Sequence, residues 1–193
     1  MSADPTVFGG GPESVGDDAA LLSDGPELFD GGSELFDRRT VDGDLIERVR
    51  RSPTAAALSL EPHPEGGWYR RTWTSPDAVA VDAGDGGSVV RPAATLIHFF
   101  LPPGESSAWH RVRSTEIWLW HGPGGISLQY GGSGEVPVPG EIVLLGPDVE
   151  GGDLAQATVE PEVWQRTLPA AEGALASCLV SPGFDFADFT LAE

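Results

Sequence analysis

The sequence predicts an all-β domain, on two observations. Short apolar runs follow one another at steady intervals from residue 67 onward. Between them fall many of the 26 Gly and 17 Pro of the chain, the punctuation of short strands and tight turns. With 193 residues, 40% of them hydrophobic, the chain is long enough for one domain with a full core.

Residues 1–38 read as an acidic, Gly-rich extension without strand patterning, and composition predicts a solvated, mostly disordered tail. Within it Glu27-Leu28-Phe29-Asp30 recurs as Glu34-Leu35-Phe36-Asp37. The alternative for this repeat is a tandem acidic-hydrophobic docking segment that orders on a partner. The domain proper is expected over residues 39–193. It opens with a short helix, about Asp42–Arg51. Val41, Leu45, Ile46 and Val49 recur at helical spacing, Asp42 or Asp44 can cap the start, and Arg48, Arg50 and Arg51 suit the C-terminal end of the dipole. Pro53 ends it.

Pro62 and Pro64 then bracket His63 in an extended turn. Gly66-Gly67 lets the chain enter a strand over Gly67–Thr74 tightly. This turn sets His63 and Glu65 near the pocket mouth or a dimer contact. Residues 75–90 read as a loose acidic loop. Strands follow near Ala93–Leu101, Ser107–Val112, Glu116–His121, Ile126–Tyr130, Glu141–Leu145, Ala155–Val159, Val163–Leu168 and Ala174–Val180. Turn signals such as Pro102-Pro103-Gly104 and Gly122-Pro123-Gly124-Gly125 separate them. About nine strands in one domain predict a sandwich or squat barrel. The three Phe of Pro182–Phe189 are spaced to pack on its wall.

The charge excludes partner classes. Thirty Asp plus Glu oppose 11 basic residues, all of them Arg, for a net charge of -19. Such a surface repels nucleic acid and anionic membranes. Acidic residues spread along the whole chain, which favours a halophilic-type surface in a salt-accumulating cell over an ordinary acidic protein from a GC-rich genome. Cys178 is the single cysteine and lies in the apolar run Leu175–Val180, as a buried structural thiol does. Met1–Gly16 has neither a basic start nor an apolar core, and no apolar run approaches the ~20 residues of a membrane span. A cytoplasmic location is expected.

The stretch Gly104–Gly122 concentrates the chemistry. It places His110 and Glu116 among Trp109, Trp118 and Trp120, half of the 6 Trp of the chain. The spacing Gly104, His110, Glu116, Gly122 resembles the first motif of the cupin superfamily, and Glu160–Gln165 echoes the second. More closely, five ordered blocks resemble one cupin subfamily without an assigned reaction. They are Leu60–Arg70, Ser107–Trp118, Leu145–Asp148, Val163–Gln165 and Pro182–Phe189. The resemblance implies a double-stranded β-helix (jelly-roll) barrel, usually dimeric, with a pocket inside. It pairs the first motif with the strand Val163–Leu168.

Two positions depart from the cupin pattern. Val112 and Gln165 stand where imidazoles are usual. His110 and Glu116 are therefore the candidate catalytic groups, and His98, Trp118, Trp120 and Gln165 the candidate ligand-binding ones. No cofactor is expected; a divalent ion at His110, Glu116 and Gln165 stays open as the alternative. Strand alternation groups Glu116, Trp118 and Trp120 on one face and turns His121 to the other. Trp164 points away from Gln165, toward packing. An aromatic-walled barrel with a few convergent polar groups suits a sugar, a nucleotide-sugar or an aromatic acid. Three functions follow: a small-molecule-binding cupin; a metal-free sugar or nucleotide-sugar epimerase or isomerase with His110 as base, oriented by Asp185, Asp188 or Glu116; and a metal-dependent dioxygenase or lyase. A homodimer is expected, through the helix and the strand Gly67–Thr74.

Overall fold

The structure, a computed structural model, describes residues 34–83 and 86–192. The first copy of the repeat, Glu27–Asp30, lies outside them. The second copy does not belong to a tail. Leu35–Arg39 (β1) pairs antiparallel with Leu45–Arg50 (β2), joining Phe36 to Val49 and Leu35 to Arg50. The helix expected over Asp42–Arg51 is thus a turn and a strand. Gly43, at φ 95°, makes the bend that reverses the chain, and the Asp44 N–H donates to the Thr40 hydroxyl at 3.0 Å. An Asp-Gly pair between β-branched runs is a hairpin signal, and it overrides a spacing that fits a helix equally well. The one short α-helix (α1) lies just beyond, at Pro53–Ala57, with Ser52 accepting from the Ala55 N–H at 3.1 Å and Pro53 opening the first turn.

The expected strands all form. Glu61–Pro62 (β3), Trp68–Thr74 (β4), Thr95–Leu101 (β7), Thr115–Pro123 (β9), Gln156–Val159 (β12) and Ala174–Ser181 (β14) make a six-stranded sheet in the order β12-β9-β14-β7-β4-β3. His110–Val112 (β8), Ile126–Tyr130 (β10), Ile142–Leu145 (β11), Gln165–Thr167 (β13) and Phe189–Leu191 (β15) make a five-stranded one, β11-β10-β13-β8-β15. The loop expected over 75–90 contains a hairpin, Ala78–Asp82 (β5) with Ser88–Pro92 (β6), whose Ala-Val-Ala-Val alternation is a strand pattern.

Pairings within both sheets are antiparallel and skip along the sequence, consistent with a jelly roll. Among the described residues no hydrogen-bonded ladder joins the two sheets, so the expected closed barrel is a sandwich of two facing sheets. Phe99, Trp118 and Cys178 of one sheet pack on Ile126, Leu128 and Leu145 of the other. A second cluster joins Ala55, Leu60, Trp68 and Phe100 on the outer side, where Phe36 meets Trp68 edge-on at 5.8 Å. No helix among the described residues is long and apolar enough to cross a membrane.

Candidate functional site

The site is built from two places far apart in sequence. The first is the turn between β3 and β4. The His63 N–H donates to the Gly67 carbonyl and the Gly66 N–H to the His63 carbonyl, both at 3.1 Å. The turn presses close against its neighbours. A Cβ on Gly66 (φ 113°) would lie 2.3 Å from the Ser106 carbonyl oxygen. Ala108 donates its N–H to the Glu65 carbonyl at 2.7 Å. Arg38 of β1, 6% exposed, holds the turn from behind: it donates to the Gly67 carbonyl at 3.2 Å and pairs with Glu105 at 3.0 Å. The result is that Glu65, 8% exposed, lines the cavity between the sheets.

The second place is β8 with its neighbours. Gln165 pairs with His110 in register, which brings the two cupin-like segments together. His110 is 1% exposed. Its Nδ1 sits 2.9 Å from the Ala108 carbonyl, an acceptor only, so Nδ1 carries the proton and Nε2 presents a lone pair. That lone pair faces Glu65 Oε2 at 3.3 Å. The same oxygen lies 3.4 Å from His63 Nδ1. Phe189 stacks on the His110 ring at 5.7 Å and Phe186 on His63 at 5.7 Å.

Burial sets the protonation states. It drives His63 down to about 3, helped by the charges of His110 and Arg38, and His110 down to about 4 against the Ala108 hydrogen bond. Burial pushes the Glu65 carboxyl well above the carboxylate range, and nearby Glu116 adds to it. Burial also lifts Glu116 to about 7, partly offset by hydrogen bonds from Gln165 and Cys178. Two neutral imidazoles therefore flank Glu65, whose carboxyl burial drives toward its protonated form, with His110 Nε2 and His63 Nδ1 3.3 and 3.4 Å from Oε2. Glu116 is poised to hold or release a proton near neutral pH.

These groups surround a narrow cavity of about 30 Å³. Tyr69, Phe99, Trp118, Phe184 and Phe189 wall it, with Arg71 at its rim. Of the sequence candidates, His110, Glu116 and Trp118 line it. Gln165 does not: fully buried behind Glu116, its Nε2 donates to Glu116 at 2.5 Å and its Oε1 accepts from Trp118 Nε1 at 2.9 Å. Trp120 shares their face but packs farther along the core, donating to the Gly124 carbonyl at 2.8 Å. His98 is on the wrong side of its strand for a ligand contact. Ile97 and Phe99 face the cavity, and His98 lies on the outer face with Ser177 and His121. Asp188 and Asp185 pair with Arg91, at 2.6 and 3.9 Å, and do not orient His110. Trp164 packs as expected, 2% exposed, under Arg111. His63 and Glu65 are the residues that sequence reasoning placed too far out.

Of the donors expected for the alternative ion, His110 and Glu116 line the cavity and Gln165 is hydrogen-bonded behind Glu116. The Gln165 oxygen is engaged by Trp118, Val112 supplies no ligand, and among the described residues no three His, Cys, Asp or Glu side chains are grouped to hold a metal ion.

Comparison with known proteins agrees with this architecture. A family model described as "Cupin superfamily (DUF985)" matches residues 53–192. A hypothetical protein from Leishmania major is 33% identical at a TM-score of 0.61, over 72% of this chain and 84% of its own. A protein from Shewanella oneidensis is 30% identical at a TM-score of 0.59, over 72% and 82%. No curated protein matches. The chain belongs to the cupin superfamily, in the family designated DUF985.

Proposed function

We propose that this cupin binds a small organic ligand whose reactive end enters the inner cavity, and moves a proton on it without a metal, as an isomerase or epimerase does. One observation carries the reading: Glu65 Oε2 lies 3.3 Å from His110 Nε2, inside a cavity that Glu116 also lines. Two carboxyls pushed to different degrees above their ordinary range make an acid and a base in one apolar site. Glu116, near 7, is the base that takes the proton from a carbon beside a carbonyl. Glu65–H donates to that carbonyl oxygen as negative charge develops there. His110 then holds Glu65 in place and shares its proton. For isomerisation Glu116 returns the proton to the former carbonyl carbon, while Glu65 protonates that carbon's oxygen and recovers a proton from the hydroxyl on the carbon first deprotonated. For epimerisation the same carbon is reprotonated on its opposite face, and in both cases atoms and charge balance. This shifts the base from His110 to Glu116, because the free lone pair of His110 is already directed at Glu65.

A ligand screen with sugars, nucleotide-sugars and aromatic acids tests the reading. A ligand at 100 times its dissociation constant adds ~2.7 kcal/mol to stability, a readily measured rise in melting temperature. NMR in D₂O then reads exchange at the carbon beside the ligand carbonyl. Exchange is expected in the wild type and lost in Glu116→Gln and Glu65→Gln. Binding with no exchange reduces the protein to a binding module; no binding from any class removes the reading.

A further inference from the structure

We infer that the ligand is a small planar carboxylate and that Arg71 is the residue that holds its anionic group. The inference rests on the reading that the inner cavity binds a ligand, and deepens it.

The cavity is too small for a whole organic molecule. About 30 Å³ takes a head of the size of a hydroxyl or carbonyl group. A wider vestibule of about 540 Å³ adjoins it, and the two share Tyr69, Arg71 and Phe184 as walls. A ligand whose head reaches Glu65 and Glu116 therefore leaves its body in the vestibule, among Tyr69, Phe184 and Phe186. Those rings favour a flat body over a hydrated one.

Arg71 stands at the junction. It shares a face of β4 with Tyr69 and is the one arginine lining the inner cavity. Its Nη2 donates to the Phe184 carbonyl at 3.1 Å, which orients the guanidinium while leaving other N–H groups of the fork for a ligand. No carboxylate of the described residues lies within 4.0 Å of it, in a chain with 30 acidic residues against 11 arginines. Arg38, Arg91 and Arg113, by contrast, each pair with one or more.

The surroundings select a monoanion. Arg70, Glu61 and Asp185 complete the charged rim of the vestibule with Arg71, and their formal charges cancel. A phosphate dianion meets no excess of positive charge there. A single carboxylate matches one guanidinium fork, with bidentate geometry. The site is thus polarised: a cation at the mouth, hydrogen-bonding carboxyls at the base, and aromatic walls between.

Calorimetric titration of the full chain tests this with benzoate and phenylpyruvate, against benzamide, benzyl alcohol and phenyl phosphate. The acids are expected to bind, and benzamide about tenfold more weakly or worse. Arg71→Gln is expected to weaken the acids about tenfold while leaving benzyl alcohol binding and the melting temperature of the free protein unchanged. Arg71→Lys restores part of the loss. If neutral probes bind as well as acids, or Arg71→Gln binds benzoate as the wild type does, the carboxylate inference is overturned and the cavity reading stands. Tighter binding of phenyl phosphate than of benzoate overturns it in favour of phosphate. If no probe of either kind binds at millimolar concentration, both fall.

Discussion

Glu65 and His110 meet across the sandwich, Oε2 to Nε2 at 3.3 Å, although Glu65 stands on the β3–β4 turn of one sheet and His110 opens β8 of the other. The contact joins two segments that read separately in the sequence as a turn and a cupin-like motif. With the Nδ1 proton committed to the Ala108 carbonyl, His110 Nε2 can only accept, so the proton for this contact has to come from Glu65, whose carboxyl burial drives toward the protonated form.

Truncating that donor has a calculable cost. Glu65→Ala leaves the His110 lone pair buried without a partner, a loss of about 1–3 kcal/mol. Glu65→Gln keeps a donor at the same place and is expected to lose less than half as much. Urea unfolding of both variants checks this. Equal losses would mean that the hydrogen bond contributes nothing beyond the side-chain volume.

The same four groups set a pH dependence. His63 and His110 are depressed in the folded state, so their contribution is present above the unfolded value of 6.5 and is lost as pH falls toward about 4 and 3. Glu65 and Glu116 are raised, so their contribution is present below 4.5 and is lost as pH rises, for Glu116 through about 7. Between 4.5 and 6.5 the two effects offset: folding moves protons from imidazoles to carboxyls. Above 6.5 the glutamates act alone and stability declines. For Glu116, a rise from 4.5 to about 7 corresponds to a loss of about 3 kcal/mol at most. Glu116→Gln is expected to remove this loss, so that urea midpoints of the variant rise relative to wild type as pH goes from about 4.5 to about 7. An unchanged slope in the variant refutes the assignment.

Gly66 is required by its neighbours as well as by its own φ. A Cβ there would meet the Ser106 carbonyl oxygen at 2.3 Å, a backbone atom that cannot swing aside. Gly66→Ala is expected to cost about 1–3 kcal/mol, a fall of several degrees in melting temperature. It also withdraws Glu65 from His110. Gly43→Ala is the contrast, since a Cβ at φ 95° there meets nothing within 4 Å. It is expected to carry the backbone strain alone and to leave ligand binding intact.

The surface charge predicts a salt response. At -19, self-repulsion opposes the compact state. Raising KCl from about 0.1 M to about 1 M shortens the screening length from about 10 Å to about 3 Å. The urea midpoint is expected to rise across that range, and a flat response contradicts a halophilic-type surface.

Particular residues show why some of this was legible in sequence and some was not. Alternation and Gly-Pro punctuation were enough for the strands from Trp68 to Ser181 apart from the β5–β6 hairpin, which read as a loop, and the pairing of Gln165 with His110 followed from the order of the blocks. Alternation says which residues share a face but not which face is inside. His98 was placed inward, whereas Ile97 and Phe99 took the cavity. Val41, Leu45, Ile46 and Val49 fit both periods over so short a run, and only the turn at Gly43 separates hairpin from helix. The depth of Glu65 had no local signal, because it depends on how closely Gly66 and Gly67 approach Ser106 and Phe99.

The segment that covers the cavity is fastened by ion pairs, and releasing them is expected to open it. Phe184, Phe186 and Phe189 pack over the His63 and His110 rings or against one another. Between them Asp188 pairs with Arg91 at 2.6 Å and with Arg113 at 3.8 Å, its side chain 12% exposed. Arg113 in turn donates to the Ala83 and Asp82 carbonyls of the β5–β6 hairpin, at 2.8 and 3.0 Å. Asp188→Asn removes the charge that both arginines share but keeps an acceptor of the same shape. The rings still favour the closed position, so the fold survives while the cover opens more often. Trp118 reports on this, being 1% exposed with its ring on the cavity wall. Acrylamide quenching, compared between the variant and wild type on a Trp118→Phe background to isolate that ring, is expected to rise in Asp188→Asn. Ligand association and dissociation are both expected to quicken. Equal quenching and equal association rates would show that the aromatic packing alone, not the Asp188 pairs, keeps the cavity closed.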